Sequence, residues 1–207
     1  MKDFNKKTFI IFDLDGVLFN SKKNMQVAWG TTKKKFNLYV SFKKYFSKIG
    51  MPFLKILKSL GIKADIKIYQ CFKDTSLKNI SLIKPYSGVI NFLKYLSKKK
   101  IKFSIVTSKD YKRSKFLLNK FNIKPISIHC PSKKFRGKPY PDQLLYSLKK
   151  NKIRKIDACF VGDTKIDYLA AKKANITFIF AKYGYGENKK IYKYPISNIK
   201  QLIKFIN

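Results

Sequence analysis

The sequence predicts an α/β fold: a parallel sheet covered by helices on both faces, with a helical segment inserted near its start. Three observations predict it. Phe9, Ile10, Ile11 and Phe12 form a continuous apolar, β-favouring run, the pattern of a strand buried on both faces. Beyond residue 84, short apolar runs alternate with amphipathic helical periods, which implies parallel strands joined by right-handed crossovers. Between residues 21 and 83 the periods are helical throughout. The expected division is a sheet domain of residues 1–20 and 84–207 and a helical domain of residues 21–83.

The first strand ends abruptly in Asp13 and Asp15. Parallel sheets take ligands at the carboxyl ends of their strands, so these carboxylates sit where a site would form. Two carboxylates at the rim of a buried sheet are costly unless something positive joins them. A divalent metal with a phosphate site accounts for them, and Gly16 permits the tight turn that follows. An ordinary polar Asp-x-Asp-Gly turn accounts for the same letters, so the rest of the chain must decide.

Val17 to Phe19 read as a short extended flap leading away from the sheet. Ser21 is a candidate cap for a helix with Met25, Ala28, Trp29, Thr32 and Phe36 on one face. A second helical period carries Phe42, Tyr45, Phe46 and Ile49 and stops at Gly50. Pro52 opens a third, with Leu54, Leu57 and Leu60 inward and Gly61 closing it. A fourth carries Ile66, Tyr69, Phe72 and Leu77. Pro85-Tyr86-Ser87-Gly88 then returns the chain to the sheet. Helices are expected over 89–99, 111–121, 166–174 and 199–206, with another that starts at Pro141 and Asp142 and bears Leu144, Leu145 and Leu148. Strands are expected over 102–106, 125–129, 158–161 and 177–180, with a loop at 131–139 and a turn at Gly184 and Gly186.

Composition narrows the class. At 207 residues with 45% hydrophobic content, the chain can bury a full core. No apolar run approaches the roughly 18–20 residues of a membrane span. The opening residues lead straight into the first strand, so no signal peptide is expected. Cys71, Cys130 and Cys159 are odd in number and widely spaced, which fits a reducing cytoplasm better than a disulfide framework. The formal charge of +36 attracts anions. Yet the lysines are spread along the chain, as at 33–35, 98–100, 133–134 and 189–190, and arginine occurs only at 113, 136 and 154. Abundant Lys, Ile, Asn, Phe and Tyr with little Ala and Gly matches an AT-rich coding bias. The distribution argues against a dedicated nucleic-acid surface and for a field that gathers small anionic substrates.

Three later segments carry polar residues suited to phosphate. Thr107-Ser108 follow the strand at 102–106, where a hydroxyl and backbone N–H groups can hold phosphate oxygens, or simply cap the strand. Asp163 follows the strand at 158–161, with Asp167 in the next helical turn; these also read as a helix cap and its first-turn acid. Lys138 stands between Gly137 and Pro139, ahead of a helix, where a solvated surface lysine is the plain alternative.

Taken together, Asp13-Leu14-Asp15-Gly16-Val17-Leu18, Thr107, Lys138 before Pro139, and Gly162-Asp163 with Asp167 resemble, in order and spacing, the four motifs of the haloacid dehalogenase superfamily of phosphohydrolases. Pro85 to Val89 and Ile49 to Pro52 resemble its phosphoglycolate phosphatase and β-phosphoglucomutase branch. Asn20-Ser21 stands where relatives often carry Asp-Ser. The resemblance implies a Rossmann-like core with a helical cap inserted after the first strand. It implies that Asp13 is the nucleophile and Asp15 the acid–base. It implies phosphate binding by Thr107, Ser108 and Lys138, and Mg²⁺ held by Asp13, Asp163, Asp167 and the main-chain carbonyl of Asp15. An acid at position 15 argues against dehalogenation, because a halide needs no proton to leave. The expected activity is hydrolysis of a small phosphomonoester. A sugar phosphomutase and a non-catalytic basic binding protein on the same fold are the alternatives, and the chain is expected to be a monomer or homodimer. Lys22, Lys23, Lys43 and Lys44 are candidate contacts for an anionic substrate tail.

Overall fold

The computed structural model describes residues 6–186 and 192–206. Strand β1 (Phe9–Phe12) is followed by a short strand β2 (Phe19–Asn20). Four helices come next: α1 (Lys22–Lys35), α2 (Phe42–Phe46), α3 (Phe53–Ser59) and α4 (Ile66–Lys78). Strand β3 (Lys84–Pro85) leads to α5 (Val89–Lys98), β4 (Lys102–Val106), α6 (Tyr111–Lys120), β5 (Ser127–His129) and α7 (Asp142–Lys150). The chain continues through β6 (Ala158–Gly162), α8 (Lys165–Ala174), β7 (Thr177–Ala181) and β8 (Pro195–Ile196) to a 3₁₀ helix at Ile199–Phe205.

The described strands build a six-stranded parallel sheet in the order β5-β4-β1-β6-β7-β8. Strand β1 lies near its centre, and its alternation divides the core. Ile10 and Phe12 face the layer of α5 and α6, with Phe92, Leu96, Leu117 and Leu118. Phe9 and Ile11 face the layer of α7 and α8, with Leu144, Leu148 and Ala170. A strand buried on both faces needs apolar residues at every position, which is the pattern its sequence carries.

Helices α1 to α4 close a hydrophobic cluster of their own. Trp29 stacks on Tyr45 at 4.4 Å between ring centroids, and Phe53 and Phe72 pack beside them. A buried polar lock ties α1 to the end of α4. Asn24 Nδ2 donates to the Ser76 and Asn79 carbonyls at 2.8 Å, and Ser76 Oγ donates to Asn24 Oδ1 at 2.7 Å. The β2–β3 antiparallel pair carries the chain out of the sheet and back.

Several local expectations are corrected. Ser21 precedes α1 but makes no side-chain cap, because its hydroxyl donates to Asp15 instead. Helix α3 starts at Phe53, and that phase turns Phe53, Ile56 and Leu57 inward while Leu54 is only half-buried. Ile66 is 65% exposed: it begins α4 directly after the Asp65 cap, and the inward face starts with Ile68 and Phe72. Strand β5 begins at Ser127 rather than Pro125. The last helical stretch is 3₁₀, and β2, β3 and β8 are two-residue pieces too short to show a period. The 189–190 lysine pair lies outside the described residues.

Candidate active site

The sheet order brings the polar strand ends together. Strands β4, β1 and β6 are neighbours, so Thr107, Asp13 and Asp163 emerge side by side at their carboxyl ends. The Asp13 backbone N–H donates to the Val161 carbonyl at 2.9 Å, continuing the ladder one step past β1. Its Oδ1 accepts from the Leu14 N–H at 2.7 Å, which aims the carboxylate.

Lys138 is fully buried, and its ammonium lies 3.0 Å from Asp13 Oδ2 and 2.6 Å from Asp167 Oδ1. Asp167 is fixed from its other side. Thr164, the residue that caps α8, donates its N–H to Asp167 Oδ2 at 3.0 Å and its hydroxyl at 2.5 Å. This reciprocal capping box makes the first turn of α8 a rigid mount for a carboxylate. The cap is therefore Thr164 and not Asp163. Asp163 points inward, with Oδ2 accepting from the Tyr185 N–H at 2.6 Å.

Carboxylate oxygens of Asp13, Asp163 and Asp167 lie within 4.8 Å of one another, and all three residues are buried. Burial pushes the Asp13 carboxyl up to about 7; Lys138 opposes this, and the charges of Asp167 and Asp15 add to it. Burial likewise pushes Asp163 well above the usual carboxylate range, reinforced by Asp167 and Asp13. Burial would depress the Lys138 ammonium, but the flanking carboxylates of Asp13 and Asp167 outweigh it and hold it above its ordinary value. When ionised, the three carboxylates outnumber the one ammonium that pairs with them among the described residues. Asp163 Oδ1 is also buried without a hydrogen-bond partner among the described residues. A hard divalent cation fits this all-oxygen donor set and this orphaned atom.

Gly16 makes the close approach possible. Its φ is +89°, and a Cβ there would overlap the Asp163 carboxylate. Gly184 approaches from the other side, where a Cβ would meet Asp163 and the Gly16 carbonyl.

The Asp15 carboxylate is not part of the three-carboxylate group. It accepts from Ser21 Oγ, and its Oδ2 lies 3.0 Å from the Lys109 ammonium. Asp13, Asp15, Thr107 and Ser108 nonetheless line one cavity of about 50 Å³, facing Tyr45 and Phe72 of the helical segment. Ser108 Oγ donates to the Gly50 carbonyl at 2.6 Å, joining the end of β4 to that segment. Lys22, Lys43 and Lys44 line an adjoining, larger groove of about 980 Å³ that shares Ile49, Met51 and Thr164 with the smaller cavity, and Lys23 does not. Sequence reasoning missed Lys109 and Arg113, which line the smaller cavity, and Tyr185, which holds Asp163. Lys109 directly follows Thr107-Ser108 and Arg113 is one of three arginines; those were the available signals.

An acidic cluster with a buried lysine at the tips of a parallel α/β sheet, under a helical roof, defines a hydrolase of the phosphate-handling class. The chain belongs to the haloacid dehalogenase-like hydrolases, whose family model matches residues 10–181. It is a phosphatase of that family and falls in its phosphoglycolate phosphatase-like branch. It is 29% identical over 204 residues to a phosphoglycolate phosphatase of Aquifex aeolicus, with 96% of each chain covered. Its fold matches a hydrolase from Pseudomonas syringae (TM-score 0.86, 23% identity, 97% and 100% of the two chains). It also matches CbbY from Rhodobacter sphaeroides, solved in complex with phosphate (TM-score 0.83, 14% identity, 95% and 96%).

Proposed function

We propose that the protein hydrolyses a short phosphomonoester, of the phosphoglycolate kind, through a phosphorylated Asp13. The observation that carries this reading is the convergence of Asp13, Asp163 and Asp167 around the buried ammonium of Lys138. The Aquifex relative, similar along almost its whole length, supports the choice of substrate.

Asp13 attacks phosphorus, the bond from phosphorus to the leaving oxygen breaks, and Asp15 gives that oxygen its proton. Asp15 then takes a proton from a water that attacks the aspartyl-phosphate, releasing phosphate and restoring Asp13. Splitting one displacement into two suits a carboxylate already aimed by the Leu14 N–H. Lys138 and the Thr107 hydroxyl stabilise charge on the phosphoryl oxygens, and the Ser108 N–H assists. Asp13, Asp163 and Asp167 would hold Mg²⁺, with the Asp15 carbonyl as a further ligand. When bound, Mg²⁺ offsets repulsion between nucleophile and phosphate and neutralises charge at the transferring group. Residues 21–83 act as a cap domain that excludes water, with Tyr45 and Phe72 as its apolar wall over the cavity.

The test is phosphate release from 2-phosphoglycolate, with and without Mg²⁺, by the wild type and Asp13→Asn. Turnover that needs both Mg²⁺ and Asp13 supports the mechanism. Equal turnover by the two proteins refutes it.

A further inference from the structure

The cavity over Asp13 has a cationic end that the phosphoryl chemistry leaves unused. Arg113 sits in the first turn of α6, is 6% exposed and lines the same cavity as Asp13 and Asp15. Asp110 holds it from behind: Asp110 Oδ1 accepts the Arg113 backbone N–H at 3.1 Å and Oδ2 accepts Nε at 2.5 Å. The guanidinium carbon lies 5.5 Å from the Phe72 ring centroid, so the cap covers one face. Nε is thereby committed, the Tyr69 hydroxyl is hydrogen-bonded to the Arg113 side chain, and no second carboxylate pairs with the terminal nitrogens among the described residues. A guanidinium fixed at one edge presents its other edge as a planar two-donor fork, which matches a carboxylate.

Arg113 is also held apart from the reacting carboxylates. Lys109, not Arg113, pairs with Asp15, and Lys138 pairs with Asp13. The two cations that line the cavity thus answer to different carboxylates, Lys109 to Asp15 and Arg113 to Asp110. About 50 Å³ admits roughly three to five water-sized groups, which suits a phosphoryl group with a short tail and not a second phosphate on a sugar ring.

We propose that Arg113 is a specificity-determining residue that receives the distal carboxylate of a short phosphorylated hydroxy acid. This rests on the phosphatase reading above. Binding the far end of the substrate in this way orients the phosphoryl group over Asp13 without any contact to the reacting atoms. A substrate of the same length with an uncharged tail leaves the fork unpaired and loses that orientation.

The test compares kcat/KM for 2-phosphoglycolate, ethyl phosphate and glucose 1,6-bisphosphate in the wild type, Arg113→Gln and Arg113→Lys. Ethyl phosphate has the same two-carbon length with no carboxylate, and the bisphosphate carries a distal phosphate. The wild type is expected to prefer 2-phosphoglycolate over both. Arg113→Gln should lower that preference over ethyl phosphate by about 10–100-fold, the loss of a charge-assisted bidentate contact. Its ethyl phosphate activity should stay within about threefold of wild type, which also reports an intact fold. Arg113→Lys, a charge without the fork, should fall between. An unchanged preference in Arg113→Gln, an equal loss on both two-carbon substrates, or a wild type that prefers the bisphosphate overturns the inference while leaving the phosphatase standing. Activity on none of the three compounds overturns the phosphatase reading and this inference together.

Discussion

Replacing Lys138 by methionine tests the site's electrostatics most directly, because most of the unbranched stem is kept while the ammonium is removed. The ammonium is fully buried and bridges Asp13 and Asp167 at 3.0 and 2.6 Å. Breaking a buried ion pair by removing one partner costs about 3–5 kcal/mol, since the remaining charge is left uncompensated. Here two carboxylates lose their cation at once. The Asp13 carboxyl, already up at about 7 with Lys138 opposing the shift, should move higher still. Metal-free Lys138→Met should therefore lose about 3–5 kcal/mol in urea unfolding near neutral pH, and the loss should shrink as acid protonates the carboxylates. Mg²⁺ should rescue the variant more than it stabilises the wild type, because the variant's site carries one more uncompensated negative charge. Phosphate release should fall on the order of 100–1,000-fold, the usual cost of removing one preorganised charge partner. A variant within about 1 kcal/mol of wild type without metal, and within about threefold in turnover, would refute the electrostatic account of the site.

Three further outcomes follow from the same geometry. Between about pH 4 and 7 the folded, metal-free protein holds a proton on Asp13 that the unfolded chain has released. Its melting temperature should thus fall as pH rises through that window, and the gain from saturating Mg²⁺ should be larger above pH 7 than below it; a metal gain that does not vary with pH contradicts this. Gly16→Ala forces both a left-handed backbone and an overlap with the Asp163 carboxylate, so it should abolish most turnover and weaken Mg²⁺ binding by calorimetry, whereas Gly30→Ala, with open space around it, should do neither. With a field of +36, kcat/KM for an anionic substrate should drop between about 0.02 and 0.3 M salt while kcat holds, and a salt-independent kcat/KM would remove any role for the field in capture.

The parts of the fold that were readable are those where one physical rule dominates. Strand β1 was readable because burial on both faces leaves no room for polar letters, and β4, β6 and β7 for related reasons. The candidate site was readable because a strand tip is where a parallel sheet exposes polar side chains, and Asp13, Thr107 and Asp163 each follow a strand directly. What escaped depends on partners distant in sequence. Ser21 has the composition of a helix cap, but its hydroxyl donates to Asp15, six residues back and across a turn. Tyr185 meets Asp163 through its backbone N–H, a group every residue but proline carries, so no side-chain pattern announces it. Arg113 looks like a surface residue in a polar helix until Phe72 of α4 is laid over it.

The charge imbalance hides which lysines matter, and burial reveals them. The chain has 11 acidic residues against 47 basic ones. Asp13, Asp15, Asp163 and Asp167 are gathered at the candidate site. Asp110, Asp142 and Asp157 each hold one of the three arginines, and Asp65 caps α4. Few acids remain for the lysines, so nearly all of those are solvated surface and contribute only to a diffuse field. Lys109 and Lys138 differ because each is buried against a carboxylate of the site. Lys7 is buried too, but it donates to the Ile156 carbonyl at the opposite end of the sheet, where β1 begins. Desolvating an ammonium is costly wherever it is done. At the start of β1 that cost serves the packing of the chain; at the end of β1 it places positive charge beside Asp13, where the proposed mechanism seats the phosphoryl group.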